Sequence, residues 1–173
     1  MKRVHMALLA MALLLSGCGK QEQEDNIPGS YTVPEGWIKW EEHSTQDQIF
    51  YVEEGHDGDQ QPDNIAINVG ENRYGEDEHT QFRDAILRQL MMQIGDAEVE
   101  LYGEGTNTEQ DYILYIFTIE DEAQGVETKQ FYIVGDYRYC LVQLTNFTGA
   151  EEGAQVAQEM VDSFVWDDLE QEK

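Results

Sequence analysis

Thr128-Lys129-Gln130-Phe131-Tyr132-Ile133-Val134-Gly135-Asp136-Tyr137-Arg138-Tyr139-Cys140-Leu141-Val142-Gln143-Leu144-Thr145 is the run that fixes the architecture of this chain. Two β-branched and aromatic segments, Thr128 to Val134 and Tyr137 to Thr145, flank Gly135-Asp136, a two-residue link of the kind that closes a tight hairpin. The two segments are therefore expected to pair antiparallel. Upstream, Val99 to Tyr102 and Tyr112 to Ile119 share that composition and are set off by turn residues. Tyr112-Ile113-Leu114-Tyr115-Ile116-Phe117 is apolar on both faces, which demands cover above and below or a very central place in a sheet. The cover can come from helices on both sides, or one side can be closed by the N-terminal segment with Trp37 and Trp40.

Two helices are legible. The first spans roughly Glu78 to Ile94, where Phe82, Ile86, Leu87, Leu90, Met91 and Ile94 form one apolar stripe, and Gly95 stands where a left-handed cap is wanted. Of Met91 and Met92 only Met91 lies on that stripe, and it is expected to fill the core rather than to form a soft binding surface. The second spans Gly149 to Phe164, with Val156, Ala157, Met160, Val161 and Phe164 on one face. Before them come an extended opening from Tyr31 to Trp37, a short strand at Ile49 to Val52, and an alternating strand at Ile65 to Val69.

Between those strands lies the acidic loop His56-Asp57-Gly58-Asp59-Gln60-Gln61-Pro62-Asp63-Asn64. An EF-hand needs an oxygen ligand at position 5, Gly at 6 and Glu at 12. Counted from Asp57 these places hold Gln61, Pro62 and Asn68, so no calcium site is assigned.

The order of elements, the opening Tyr31-x-Val33-Pro34-x-Gly36-Trp37, the strand end Tyr132-Ile133-Val134-Gly135 and the close Ser163-Phe164-x-Trp166 resemble the PsbP/Mog1-like superfamily, which has small bacterial lipoprotein members. The resemblance covers nearly the whole mature domain. It implies an α+β fold in which an antiparallel sheet is flanked by two main helices as an α/β/α sandwich. It also implies a binding or assembly module, since relatives attach to a photosystem or to a small GTPase. It brings no catalytic residues.

The N-terminus carries an address. Lys2 and Arg3, the apolar run Met6 to Leu15, and small residues at Ser16-Gly17 meet the requirements of a secretory signal, and the run is too short for a permanent span. Leu15-Ser16-Gly17-Cys18 resembles the bacterial lipobox, which implies cleavage before Cys18 and a diacylglyceryl thioether on its sulfur. An ordinary secretory signal with an incidental Cys18 is the other reading. The expected organisation is a signal peptide over 1–17, a lipidated cysteine and flexible tether over 18–29, a globular domain over 30–168 and an acidic tail over 169–173. The protein is then held on the extracytoplasmic face of the cell membrane by lipid, two or three acyl chains being needed for a stable hold.

Net charge is -26, and removal of Lys2 and Arg3 with the signal makes the mature form more acidic still. Nucleic acid is therefore a poor partner, because phosphate binding rests on clustered Lys and Arg. The acidity is spread evenly, as in a solvated surface that resists aggregation, although a cation store, a cationic partner and life at high salt share that composition. With Cys18 committed to lipid, Cys140 has no disulfide partner and fits a small buried hydrophobe.

Chemistry-bearing motifs are missing. His43, His56 and His79 are isolated, Ser30, Ser44 and Ser163 lack a nucleophile context, and no glycine-rich phosphate loop is present, so no catalytic, metal or cofactor site is assigned. Asn146-Phe147-Thr148 fits a glycosylation pattern by chance in a chain with a bacterial lipobox. The leading functional expectation is a non-enzymatic lipoprotein that binds or assembles another envelope protein. The alternative is a small solute- or cation-binding lipoprotein, which needs a pocket with convergent polar groups.

Overall fold

The computed structural model describes residues 27–95 and 99–167. Cys18, the signal peptide and the acidic tail lie outside the described residues. Strict alternation along the strands divides the chain into two faces. In β6 (Ile113–Asp121), Leu114 and Ile116 turn to one side and Tyr115, Phe117 and Ile119 to the other. In β7 (Val126–Gly135), Phe131 and Ile133 oppose Tyr132 and Val134 in the same way. The double-sided apolar pattern is met by a helix on each face, with the N-terminal segment sharing one of them.

The remaining strands of the main sheet are β2 (Trp37–Lys39), β3 (Gln48–Glu53), β4 (Asn64–Glu71), β5 (Glu100–Asn107) and β8 (Arg138–Asn146). Their order is β2-β3-β4-β8-β7-β6-β5, antiparallel throughout. A second, two-stranded sheet joins β1 (Gly29–Ser30) to β9 (Val165–Trp166). Ile27 packs on the core and Gly29 pairs with Trp166. Thus 27–29, assigned above to the tether, belong to the folded body.

Helix α2 (Glu152–Ser163) buries Gly153, Val156, Ala157, Met160 and Val161 against Ile65, Ile67, Val142 and Leu144. Trp37, Ile27, Tyr31 and Val33 close the rest of that face. Asp63 fixes the approach to α2, its carboxylate accepting from the backbone N–H of Phe147 at 2.6 Å and of Thr148 at 3.0 Å.

Helix α1 (His79–Ile94) lies on the opposite face and connects the central strand β4 to the edge strand β5. A single 3-10 turn, Glu76–Glu78, precedes it, placing three acids where the helix dipole favours negative charge. The β7–β8 turn holds this entry in place. Tyr137 donates its N–H to the Tyr74 carbonyl, its own carbonyl accepts from Asn72, and Asp136 accepts from the Glu76 N–H. Gly95 ends the helix at φ 58 and donates its N–H to the Met91 carbonyl; its ψ of -125 differs from the left-handed cap expected, although the positive φ still favours glycine.

Three expectations are corrected. The hairpin link is Asp136-Tyr137 rather than Gly135-Asp136, with Tyr137 at φ 55. Gly135 stays in the strand because the Trp166 ring lies over it, 3.1 Å from where a Cβ would stand. Strand β5 does not stop at Tyr102 but continues to Asn107 in unbroken register with β6. Met91 does not fill the core: it is 60% exposed and Met92 76%, since α1 buries only Phe82 and Leu90 completely.

Candidate binding groove

The unfilled side of α1 faces β5 across an open groove of about 1170 Å³. Its helix wall is a row spaced by about one turn, His79, Arg83, Leu87 and Met91, ending at Ile94. Its floor is the aromatic face of β6. Gly103 and Gly105 of β5 pair with Phe117 and Tyr115, and a Cβ on either would stand 3.2 Å and 3.0 Å from those rings. Glycine at both positions therefore lets the rings lie flat under the strand and leaves the floor of the groove apolar. This is the stacking of an aromatic ring over an edge glycine, which holds a weak strand former in place.

One end of the groove is polar. His79 Nδ1 lies 2.7 Å from the Tyr115 hydroxyl and the two rings stack with centroids 6.0 Å apart. Arg83 sits over the Tyr115 ring at 5.8 Å while its Nη2 donates to Asp84 at 2.6 Å. That hydrogen bond raises the Arg83 pKa further above its already high value. Burial pushes the Tyr115 hydroxyl up, with Arg83 opposing the shift, so Tyr115 is a neutral phenol at physiological pH. The other end, from Leu87 and Ile94 to Val99 and Leu101, is apolar.

Behind the groove, Phe82, Tyr132, Tyr139 and Phe117 interlock edge-on and tilted, with centroids 5.4 to 6.0 Å apart. Tyr132 donates to Gln130 at 3.1 Å, and burial raises the pKa of both Tyr132 and Tyr139. A smaller polar recess of about 480 Å³ on the outer side of α1 is bounded by Arg73, Tyr74, Glu78, Gln81, Asp84 and Arg88.

Residues weighed for chemistry are scattered by the fold. Cys140 is fully buried and its thiol pKa is raised by that burial, which leaves it a packing residue. His56 hydrogen-bonds Asp59 at 2.7 Å on an exposed loop, and His43 stacks on Trp40 with centroids 3.6 Å apart. Ser44 bridges the Trp40 carbonyl and the Phe50 N–H, and Ser163 accepts from the Thr32 N–H while donating to the Met160 carbonyl. Of the three histidines among the described residues, only His79 reaches the groove. The local signal of Gly103 and Gly105 is weak, no more than the alternation Gly-x-Gly two residues beyond an apolar strand start.

No family model matches the chain and no curated protein matches it in sequence. Among solved structures it is similar to the solution structure of cyanobacterial PsbP (CyanoP) from Synechocystis sp. PCC 6803, at TM-score 0.55 and 13% identity over 88% of this chain and 98% of that one. The domain is PsbP-like in fold. At this identity the likeness speaks for architecture alone. It accounts for the α+β arrangement of a PsbP-like domain, a large antiparallel sheet between two helices.

Proposed function

We propose that this PsbP-like domain is a non-enzymatic binding or assembly module for another envelope protein, anchored by lipid on Cys18 to the extracytoplasmic face of the cell membrane. The observation that carries the reading is the groove between α1 and β5, an apolar recess in a body otherwise dense with acid. The polar groups at its one end, His79, Tyr115 and Arg83, are engaged with one another and with Asp84, an arrangement suited to shaping a surface. The lipobox supports the anchor. Ile27, the first described residue, packs on the α2 face, on the side of the sheet away from the groove.

The test is crosslinking in intact cells followed by affinity recovery through the folded domain. A specific co-purifying envelope protein is the expected result. The anchor is tested separately by detergent partitioning, which Cys18→Ala should abolish. The size of the groove and the Tyr115 hydroxyl favour a second reading, a small-solute-binding lipoprotein. A small molecule recovered with the domain, in place of a protein, would favour that reading.

A further inference from the structure

We propose that an extended segment of a partner polypeptide adds to the free edge of β5 as an eighth strand, with apolar side chains in the α1 groove and basic side chains on the other face. The inference rests on the binding-module reading and names how that module binds. Three observations carry it.

The first is the edge itself. Strand β5 has eight residues in continuous register with β6 and, among the described residues, no strand paired on its other side, whereas the opposite edge β2 has three. Edge strands are ordinarily protected by charged side chains, Pro, a bulge or shortness. Glu100-Leu101-Tyr102-Gly103-Glu104-Gly105-Thr106-Asn107 has no Pro and no bulge and is not short, and its charges are both acidic, which repels another acidic strand and leaves a basic one free to pair. At about 3.3 Å per residue it runs about 26 Å, close to the roughly 24 Å of the sixteen-residue α1. Helix and edge strand thus frame a slot along their length, the geometry in which an added strand takes main-chain hydrogen bonds from one wall and side-chain contacts from the other.

The second is the groove side of that slot. Because Gly103 and Gly105 carry no side chains, alternate residues of an added strand reach Phe117 and Leu87 without obstruction. Met91, exposed and pliable, completes that wall.

The third is charge on the reverse face. Glu100 and Tyr102 alternate with the groove-facing Leu101 and Gly103, Tyr102 donates its hydroxyl to the Glu100 carboxylate, and the register places Glu100 opposite Glu120 and Glu120 opposite Glu127. Like charges directly across neighbouring strands repel. A row of three glutamates ending at an open edge is relieved by a cationic side chain set down next to Glu100. The same row disfavours a second copy of this chain, whose β5 would bring further glutamates to that edge. The occupant is accordingly a partner segment in which apolar and basic residues alternate.

The probe is a capped eight-residue peptide alternating valine and lysine, added to the purified mature chain. Binding is expected to slow amide exchange along β5 at least tenfold. Affinity should fall at least tenfold when lysine is replaced by glutamate in the peptide, when alternate peptide nitrogens on the pairing edge are methylated, and in Met91→Glu, a change at an exposed site that spares the fold. No binding at 1 mM, protection on β2 instead, indifference to N-methylation, or a concentration-dependent dimer formed through β5 each overturns the proposal. If the peptide fails while the anchored chain still retains an envelope protein equally well with Met91→Glu, edge pairing falls and the binding-module reading stands. If no envelope protein is retained either, both fall.

Discussion

The two faces of the sheet are built from the same strands and finished differently. Under α2 the contacts are close and mostly aliphatic, around Phe131 and Phe164: Ile49, Ile65, Ile67, Leu114, Ile133, Leu144 and Met160 are fully buried, and five positions of a twelve-residue helix are buried. Under α1 the filler is aromatic, and a sixteen-residue helix has only two inaccessible positions. Large rings hold a helix away from the sheet, and what they do not fill at the edge remains as the groove. One face thus supplies most of the stability, leaving the other with surface to spare for binding.

Paired truncations test that division most sharply. Met160→Ala removes a fully buried side chain from a site with no route for solvent, and about 4 kcal/mol of stability should be lost. Leu90→Ala on the α1 face removes as much apolar surface from a helix whose neighbouring Leu87 and Met91 line the open groove, and about 2 kcal/mol is expected. Urea denaturation gives both values; equal losses would mean that the faces do not differ in the way described. Gly70→Ala should fall between or below these, at about 1–3 kcal/mol, because the new Cβ would stand 2.5 Å from the Tyr139 ring and press on the aromatic layer behind the groove.

Alkali should loosen the faces in sequence. The folded protein binds the Cys140 proton more tightly than the unfolded chain does, since burial among the α2-face residues raises its pKa from 9.0. Stability is therefore complete below pH 9 and declines as pH rises through and past it. Tyr132 and Tyr139, raised from 10.0, act in the same sense but begin about one unit later. Denaturation midpoints measured from pH 8 to 11 should fall with a slope that Cys140→Ala reduces from pH 9, and that Tyr132→Phe reduces only above 10. A common onset for both variants would dissolve the distinction.

Much of the α2 face was legible because it obeys periodicity. The stripe of Val156, Ala157, Met160 and Val161 and the alternation at Ile65 to Val69 are local signals that find their elements, although α2 starts at Glu152 rather than Gly149 and Phe164 follows it in an extended conformation. The groove was less visible because its determinants act across strands. Gly103 and Gly105 read as loop until Phe117 and Tyr115 are placed opposite them. The stripe from Phe82 to Ile94 is real as a pattern, but a pattern cannot say how much of a helix the sheet reaches. Gly135 looked like a turn residue for the same reason: the Trp166 ring that holds it in β7 is far away in sequence.

The smallest expected effect is the one that most directly concerns α1. Met92→Lys replaces a side chain that is 76% exposed, so its loss leaves no cavity and the new ammonium remains in water. A change within about 0.5 kcal/mol is expected in the same denaturation experiment. Met92 lies off the apolar stripe, so its neutrality sets the baseline for α1. The same replacement at Met91, which lies on the stripe but is 60% exposed, should also stay within about 0.5 kcal/mol, whereas a stripe fully engaged with the sheet would make it cost as much as Leu90→Ala.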